Sequence, residues 1–186
     1  MKILGGEHRG RALRAPKGHA TRPMLAMVRE SMFQIAGPWL DGGRVLDLFS
    51  GSGSLGLEAL SRGAASVRFF EISREARETL EQNIALLGGG ERCTVVAGDA
   101  VEPGLWGPGP FDLVLLDPPF PMIRATDGRT KVLAALEALA AGPLEEEGLI
   151  VLHVPRGALT PANIPADLAH TVREHGDQAV WYLQRR

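Results

Sequence analysis

The chain reads as an α/β protein built on an open, mostly parallel sheet. Three observations predict this. Short apolar runs of strand type alternate with stretches of helical spacing. The run Val45-Leu46-Asp47-Leu48-Phe49 breaks into Gly51, Gly53 and Gly56 and then into a helix-like stretch, giving a strand, a glycine turn and a helix. Four runs carry an acid at or near their carboxyl end, at Asp47, Glu71, Asp99 and Asp117, where an open sheet of this kind binds ligands.

The elements follow in order. Lys2–Gly5 and Arg11–Ala15 are spaced to pair around Glu7–Gly10 as a hairpin. Pro23 suits the first turn of a helix capped by Thr21 or Arg22, and Leu25, Val28, Met32 and Ile35 keep helical spacing up to Gly37-Pro38, a stripe that reads as core. After the glycine turn, Leu55–Leu60 is helix-like, Val67–Phe70 is a strand ending at Glu71, and Ser73 opens a helix to Leu87. Cys93–Ala97 is the third strand, and Val114–Leu116 the fourth, ending at Asp117. Arg129–Ala141 is a helix and Gly148–Val154 the fifth strand. Pro161–Leu168 is broken by proline, and Thr171–Glu174 pairs with Gln178–Leu183 across Gly176-Asp177. Pro103–Pro110 and Pro121–Gly128 read as loops, the second a candidate lid beside Asp117.

With 186 residues, 45% of them hydrophobic, the chain holds one sizeable core and is too short for two ordinary domains. The expected division is a basic arm over 1–20 and one larger domain over 21–186. No apolar run approaches the roughly 20 residues that span a bilayer, and the start of the chain is basic without an apolar segment, so a cytoplasmic protein is expected. The lone Cys93 excludes an internal disulfide and a cysteine-rich zinc site, and the five histidines have no metal-ligand spacing, so no metal is expected. The net charge of −2 hides an asymmetry: residues 1–22 hold Lys2, Arg9, Arg11, Arg14, Lys17 and Arg22 against Glu7 alone. Such an arm suits a polyanion, because phosphate contacts supply affinity and set register; a solvated hairpin is the bland alternative.

The run Asp117-Pro118-Pro119-Phe120 carries the chemistry. Two prolines let the chain leave the strand without starting a helix and leave the Pro118 carbonyl without a ladder partner. Asp117 supplies a second acceptor and Phe120 a flat face, a set that grips a planar ring bearing an exocyclic NH2. Two acceptors on one amino group leave its lone pair as the free direction. The glycines Gly51, Gly53 and Gly56 with Glu71 twenty residues on also fit a nicotinamide dinucleotide; Asp47, placed to face an ammonium group, and Asp99-Ala100, placed to read an adenine edge, favour S-adenosylmethionine.

These motifs resemble those of class I S-adenosylmethionine-dependent methyltransferases acting on exocyclic amines. More narrowly, Gly6-x-x-Arg9-Gly10-Arg11, Thr21-Arg22-Pro23, Val28-Arg29-Glu30 with Phe33, Gly56–Gly63, and the closing His175-Gly176-Asp177 with Trp181-Tyr182 resemble the RsmD family, the bacterial 16S rRNA guanine-N2 methyltransferases. The resemblance implies a Rossmann-like fold, with a seven-stranded mostly parallel sheet, helices on both faces, an antiparallel last strand and an amino-terminal basic hairpin. It implies S-adenosylmethionine held by Asp47, Phe49, Gly51, Gly53, Glu71, Ile72, Asp99 and Ala100. Asp117, Pro118 and Phe120 would be catalytic, and 16S rRNA, free or within the small subunit or an assembly intermediate, would be the partner of a monomer. The chain departs from the family at Phe120, where tyrosine is commoner, at Met24-Leu25-Ala26, where polar residues are commoner, and at Leu152-His153, where an acid is commoner; no role is transferred to residues 24–26 or to His153. Other targets that present an amine are adenine N6 in DNA or RNA and protein glutamine. A dehydrogenase or a noncatalytic RNA-binding protein would leave Asp117–Phe120 or the glycine turn unexplained.

Overall fold

The computed structural model describes residues 1–15 and 24–186. The helix cap expected at Thr21 or Arg22, with Pro23, and the basic side chains of Lys17 and Arg22 lie outside the described residues. Among the described residues, five α-helices, α1 (Ala26–Ala36), α2 (Ser54–Ser61), α3 (Arg74–Leu86), α4 (Phe120–Arg124) and α5 (Thr126–Ala141), accompany seven strands. The strands are β1 (Arg44–Leu48), β2 (Ser66–Phe70), β3 (Cys93–Val96), β4 (Phe111–Leu116), β5 (Leu144–Pro155), β6 (Leu168–His175) and β7 (Gln178–Arg185), in sheet order β3-β2-β1-β4-β5-β7-β6. β1 to β5 run parallel, and β7 runs antiparallel to both β5 and β6. This is the expected sheet.

The middle strands are buried on both faces, which is why they read as unbroken apolar runs. Alternate side chains enter opposite layers. Leu113 and Leu115 join Val45, Val28, Met32 and Leu57 on one side, while Val114 and Leu116 join Leu46, Val132 and Leu136 on the other. Ile3 and Leu13 of the arm belong to the first layer and are almost wholly buried.

The arm is a short hairpin with one bridge, Lys2 to Ala12, closed by Ile3 N to Arg11 O at 3.0 Å and Gly10 N to Ile3 O at 2.9 Å. It is seated on α2. Both oxygens of the fully buried Glu58 accept arm backbone N–H groups, from Leu4 and Gly5, each at 2.8 Å. Ser61 Oγ donates to Gly5 O and accepts from His8 N, and the Arg29 guanidinium donates to Lys2 O. A buried carboxylate and a buried guanidinium are thus tied to backbone, as buried charge must be.

Three expectations are corrected. α1 starts at Ala26, and Leu25 is 49% exposed instead of core, because it sits at the cap with extended backbone and falls out of phase with the helix. Arg29 takes a buried place on that face. The segment 121–128 is not a loop, and the chain does start a helix after the double proline. Proline needs no N–H in a first helical turn, so Pro119 caps α4, its carbonyl accepting from Met122 N at 2.8 Å, and Pro121 sits in the first turn. Ala125, in extended geometry, separates α4 from α5, which begins three residues before the expected Arg129. Gly128 permits that corner, since a Cβ there would lie 2.3 Å from Met122 O. The fifth strand is also longer than Gly148–Val154, starting at Leu144 with a register shift opposite Phe111–Leu113. Among the described residues no helix is long and apolar enough to cross a membrane.

Candidate active site

The carboxyl ends of β1, β2, β3 and β4 lie side by side, so their end residues share one edge of the sheet. Asp47, on β1, is 1% exposed. Its Oδ2 accepts the Gly56 N–H at 2.9 Å, while Oδ1 is buried without a partner. Burial pushes this carboxyl up to about 8; the Gly56 N–H opposes the rise, and the negative charges of Asp117 and Glu71 add to it. Gly56 is required here, because a Cβ would stand 2.3 Å from Phe69 Cε1 and 2.8 Å from Asp47 Oδ2.

The turn after β1 is built on left-handed backbone. Phe49 has φ 65°, a conformation that costs a non-glycine residue about 1 kcal/mol or more, and Gly51 and Gly53 follow at 56° and 82°. Ser50 stitches the turn to the end of β2, its Oγ donating to Asp47 O at 2.7 Å and accepting Phe70 N at 2.9 Å. Glu71 spans the turn and α3, taking Gly51 N on Oε2 at 2.8 Å and Ser73 N on Oε1 at 2.7 Å. The side chain of Ile72 is 71% exposed beside it. At the end of β3, Asp99 Oδ1 accepts Val101 N at 3.2 Å, and the Ala100 carbonyl is taken by Trp106 Nε1 at 2.9 Å. Among the described residues the Ala100 N–H and the second Asp99 oxygen have no partner.

At the end of β4, the Asp117 side chain is 31% exposed. One oxygen, Oδ1, lies 2.8 Å from His153 Nδ1, and the other has no partner among the described residues on this partly exposed side chain. No described residue donates to the Pro118 carbonyl, as expected of a strand end followed by two prolines. The Phe120 ring tilts against the His153 imidazole, with centroids 5.2 Å apart. Asp47 on β1 and Asp117 on the adjacent β4 project from the same face, two positions apart in register, which is why their charges interact.

The structure therefore brings Asp47, Phe49, Gly51, Gly53, Glu71 and Ile72 together around one turn. Asp99 with Ala100 lies on its β3 flank, and Asp117, Pro118 and Phe120 on its β4 flank. The arm residues are dispersed. Lys2, Arg9, Arg11 and Arg14 are all exposed. Arg9 sits in the hairpin turn, which packs on Ser61 and near Arg92, at the far ends of α2 and β3 from the glycine turn. Of the described four, Arg14 is the one beside the site: Asn83 bonds its backbone and also donates to Ser52 O at 2.9 Å.

Sequence reasoning missed His153, Gln178, Asn83 and Glu58. For Glu58 a signal existed, a single acid inside Leu55–Leu60 with apolar neighbours on both sides. For His153 the signal was the departure itself, an imidazole at a strand end next to the Asp117 strand.

The family model described as Conserved hypothetical protein 95 matches residues 1–184. The chain belongs to that family. Its relatives include YlbH of Bacillus subtilis strain 168, provisionally named an rRNA methyltransferase, 37% identical over 185 residues that cover 94% of this chain and 92% of that one. Ribosomal RNA small subunit methyltransferase D of Escherichia coli K12 is 39% identical over 120 residues, covering 64% of this chain and 60% of that one. The Escherichia coli structure provisionally called methyltransferase yhhF superposes with a TM-score of 0.85 at 33% identity, covering 100% of this chain and 98% of that one. The resemblance to RsmD methyltransferases read from the sequence holds, and so does the class I methyltransferase fold.

Proposed function

We propose that this protein transfers a methyl group from S-adenosylmethionine to the exocyclic N2 amine of a guanine in small-subunit 16S rRNA. The carrying observation is the pair of free acceptors at the end of β4, the second Asp117 oxygen and the unpartnered Pro118 carbonyl, on the strand next to the buried, unpartnered Asp47 oxygen. The residues present fit the cofactor. Asp47 Oδ1 is buried with no hydrogen-bond partner, which suits an ammonium group, and the open space at Gly51 admits a ligand against the backbone. Glu71 has lone pairs left for ribose hydroxyls, Ile72 an exposed apolar surface for a ring, and Asp99 with the Ala100 N–H an acceptor and donor for an adenine edge. Bound there, S-adenosylmethionine supplies an electrophilic sulfonium methyl.

The chain's own part is orientation. Drawing the base from its stack costs a few kcal/mol, less if it is already unpaired. Phe120 stacks on the base, and Asp117 and the Pro118 carbonyl accept its two N–H bonds, leaving the amine lone pair directed away from both. An aromatic amine is a poor nucleophile, so fixing it and placing negative charge where positive charge develops is the main contribution. The surplus proton leaves to Asp117 or water, and no strong base is required.

The arm over 1–20 serves as the RNA-binding element of the 21–186 methyltransferase domain, with Lys2, Arg9, Arg11, Arg14, Lys17 and Arg22 meeting phosphates. On this reading the enzyme works as a monomer, in the cytoplasm where its RNA is.

Incubation with tritiated S-adenosylmethionine and, separately, tRNA, 16S rRNA, small subunits and DNA, followed by digestion to nucleosides, tests this reading. N2-methylguanosine from 16S rRNA or small subunits is the expected product. N6-methyladenine in any of the four would move the target to adenine.

A further inference from the structure

His153 connects two of the three residues to which the proposed function gives the target base. It is 3% exposed. In register, β4 and β5 pair Leu116 with Leu152, so Asp117 and His153 are the next neighbours, and β5 and β7 pair Pro155 with Gln178. Three adjacent strands thus place a carboxylate, an imidazole and a carboxamide in a row at the edge of the sheet. The row is bonded throughout: Asp117 Oδ1 to His153 Nδ1 at 2.8 Å, and His153 Nε2 to Gln178 Oε1 at 3.0 Å. The Phe120 ring packs tilted against the imidazole, with an interplanar angle of 55°.

A carboxylate on a strand end, about one-third exposed, swings about its own χ2 unless one oxygen is tied. Here Oδ1 is tied from the protein side. The second oxygen is therefore the one left for a substrate, and its direction is set by the ring.

We propose that His153 is a positioning residue for methyl transfer: its Nδ1–H holds one oxygen of Asp117 so that the other meets the target amine, with Gln178 fixing the ring from behind. The inference rests on the methyltransferase reading. It assigns His153 no contact with base or cofactor; the residue acts through Asp117 and, by packing, through Phe120.

The ring works best protonated, since it faces an acceptor at each nitrogen and the neutral form has a single N–H to share between them. Burial alone favours loss of the proton, but the Asp117 bond and charge, the Gln178 bond and the Asp177 charge outweigh it, and the ring titrates above the ordinary histidine value. The charged groups bearing on it are Asp117 from β4 and Asp177 from the β6–β7 turn; Gln178 and Phe120 are neutral. Asp117 is then left as an acceptor, which is what an amino group requires of it.

The test compares His153→Phe, which keeps a ring against Phe120 and loses both nitrogens, with His153→Asn, whose amide N–H stands near the former Nδ1. Each is assayed on 16S rRNA or small subunits for kcat, KM and cofactor dissociation constant across pH. His153→Phe is expected to lower kcat about 100-fold with RNA KM and cofactor affinity within about twofold, and His153→Asn to restore kcat to within about tenfold of the parent. The parent's kcat should decline on the alkaline side as the ring loses its proton, and His153→Asn should lack that limb. Gln178→Met, which removes only the rear partner, should give a smaller loss of kcat and lower the pH of that limb. A folded His153→Phe with the parent kcat, or a His153→Asn no better than His153→Phe, overturns the inference. A parent enzyme that makes N2-methylguanosine and an inactive Asp117→Ala leave the underlying reading standing in that event; a parent that makes none brings down both.

Discussion

Asn83 closes both backbone hydrogen bonds of Arg14, taking its N–H on Oδ1 at 2.8 Å and donating to its carbonyl from Nδ2 at 3.1 Å. The same Nδ2 donates to Ser52 O at 2.9 Å, so one fully buried carboxamide joins the exit of the basic arm to the glycine turn. Asn83→Leu removes all three contacts and leaves the Arg14 N–H, the Arg14 carbonyl and the Ser52 carbonyl without that partner, at about 1–3 kcal/mol for each that stays shielded from water. The expected result is a loss of stability in denaturant melts accompanied by weaker cofactor binding, measured by calorimetry. An unchanged cofactor affinity in the folded variant would separate the arm from the turn.

Asp117→Ala should reduce methyl transfer by at least about 1,000-fold while cofactor affinity stays close to the parent's, because the side chain faces the amine. Single-turnover measurement with saturating cofactor reads this directly, and an active Asp117→Ala enzyme would refute the role given to the carboxylate.

Asp47 makes cofactor binding depend on pH. Its carboxyl, pushed up to about 8, keeps its proton in the free protein at neutral pH, whereas a bound ammonium group needs the anion. Binding at pH 7 should therefore release close to one proton, and affinity should fall by up to about tenfold per pH unit below pH 8. Calorimetry in two buffers of different ionisation enthalpy measures the proton, and Asp47→Asn should abolish its release. The same shift acts on folding with a defined sign. The native state holds a proton that the unfolded chain has lost between about 4 and 8, so the contribution of this group to stability diminishes as pH rises through that window.

Glu58→Ala should unseat the arm. It leaves the Leu4 and Gly5 N–H groups without their acceptor and the Arg62 guanidinium with Glu30 alone, a loss of about 1–3 kcal/mol for each stranded N–H. Hydrogen exchange at Leu4 and Gly5 should accelerate before that of the β1 and β4 amides.

Neutralising Arg11 and Arg14 should weaken RNA binding and reduce its salt slope by about 1 for each side chain that meets a phosphate. Arg9→Ala should do less than Arg14→Ala, since Arg9 lies in the turn at the opposite end of the hairpin from the site. Binding isotherms over a range of salt concentrations measure both.

Local pattern made the strands, the glycine turn and the double-proline strand end legible, because strand burial and positive φ leave marks on neighbouring residues. The candidate site residues within those marks, Asp47, Gly51, Glu71 and Asp117, could be placed in the fold the same way. Pro119 and Pro121 misled because proline both ends a strand and opens a helix, and only the packing of α4 on α5 decides between the two. His153 and Gln178 were out of reach for a different reason. Each becomes meaningful only through the register of β4, β5 and β7, and strand order is a long-range property that no window of sequence contains.

The missing side chain at Gly56 has a consequence beyond its own contacts. With Phe69 and Asp47 pressed into the space a methyl would fill, any replacement makes these side chains or α2 itself give way. Helix α2 is also the saddle on which Glu58 and Ser61 hold the hairpin. A defect at one glycine would thus disturb Asp47 with the glycine turn and the seat of the basic arm in a single stroke, and repairing either contact alone would not restore both.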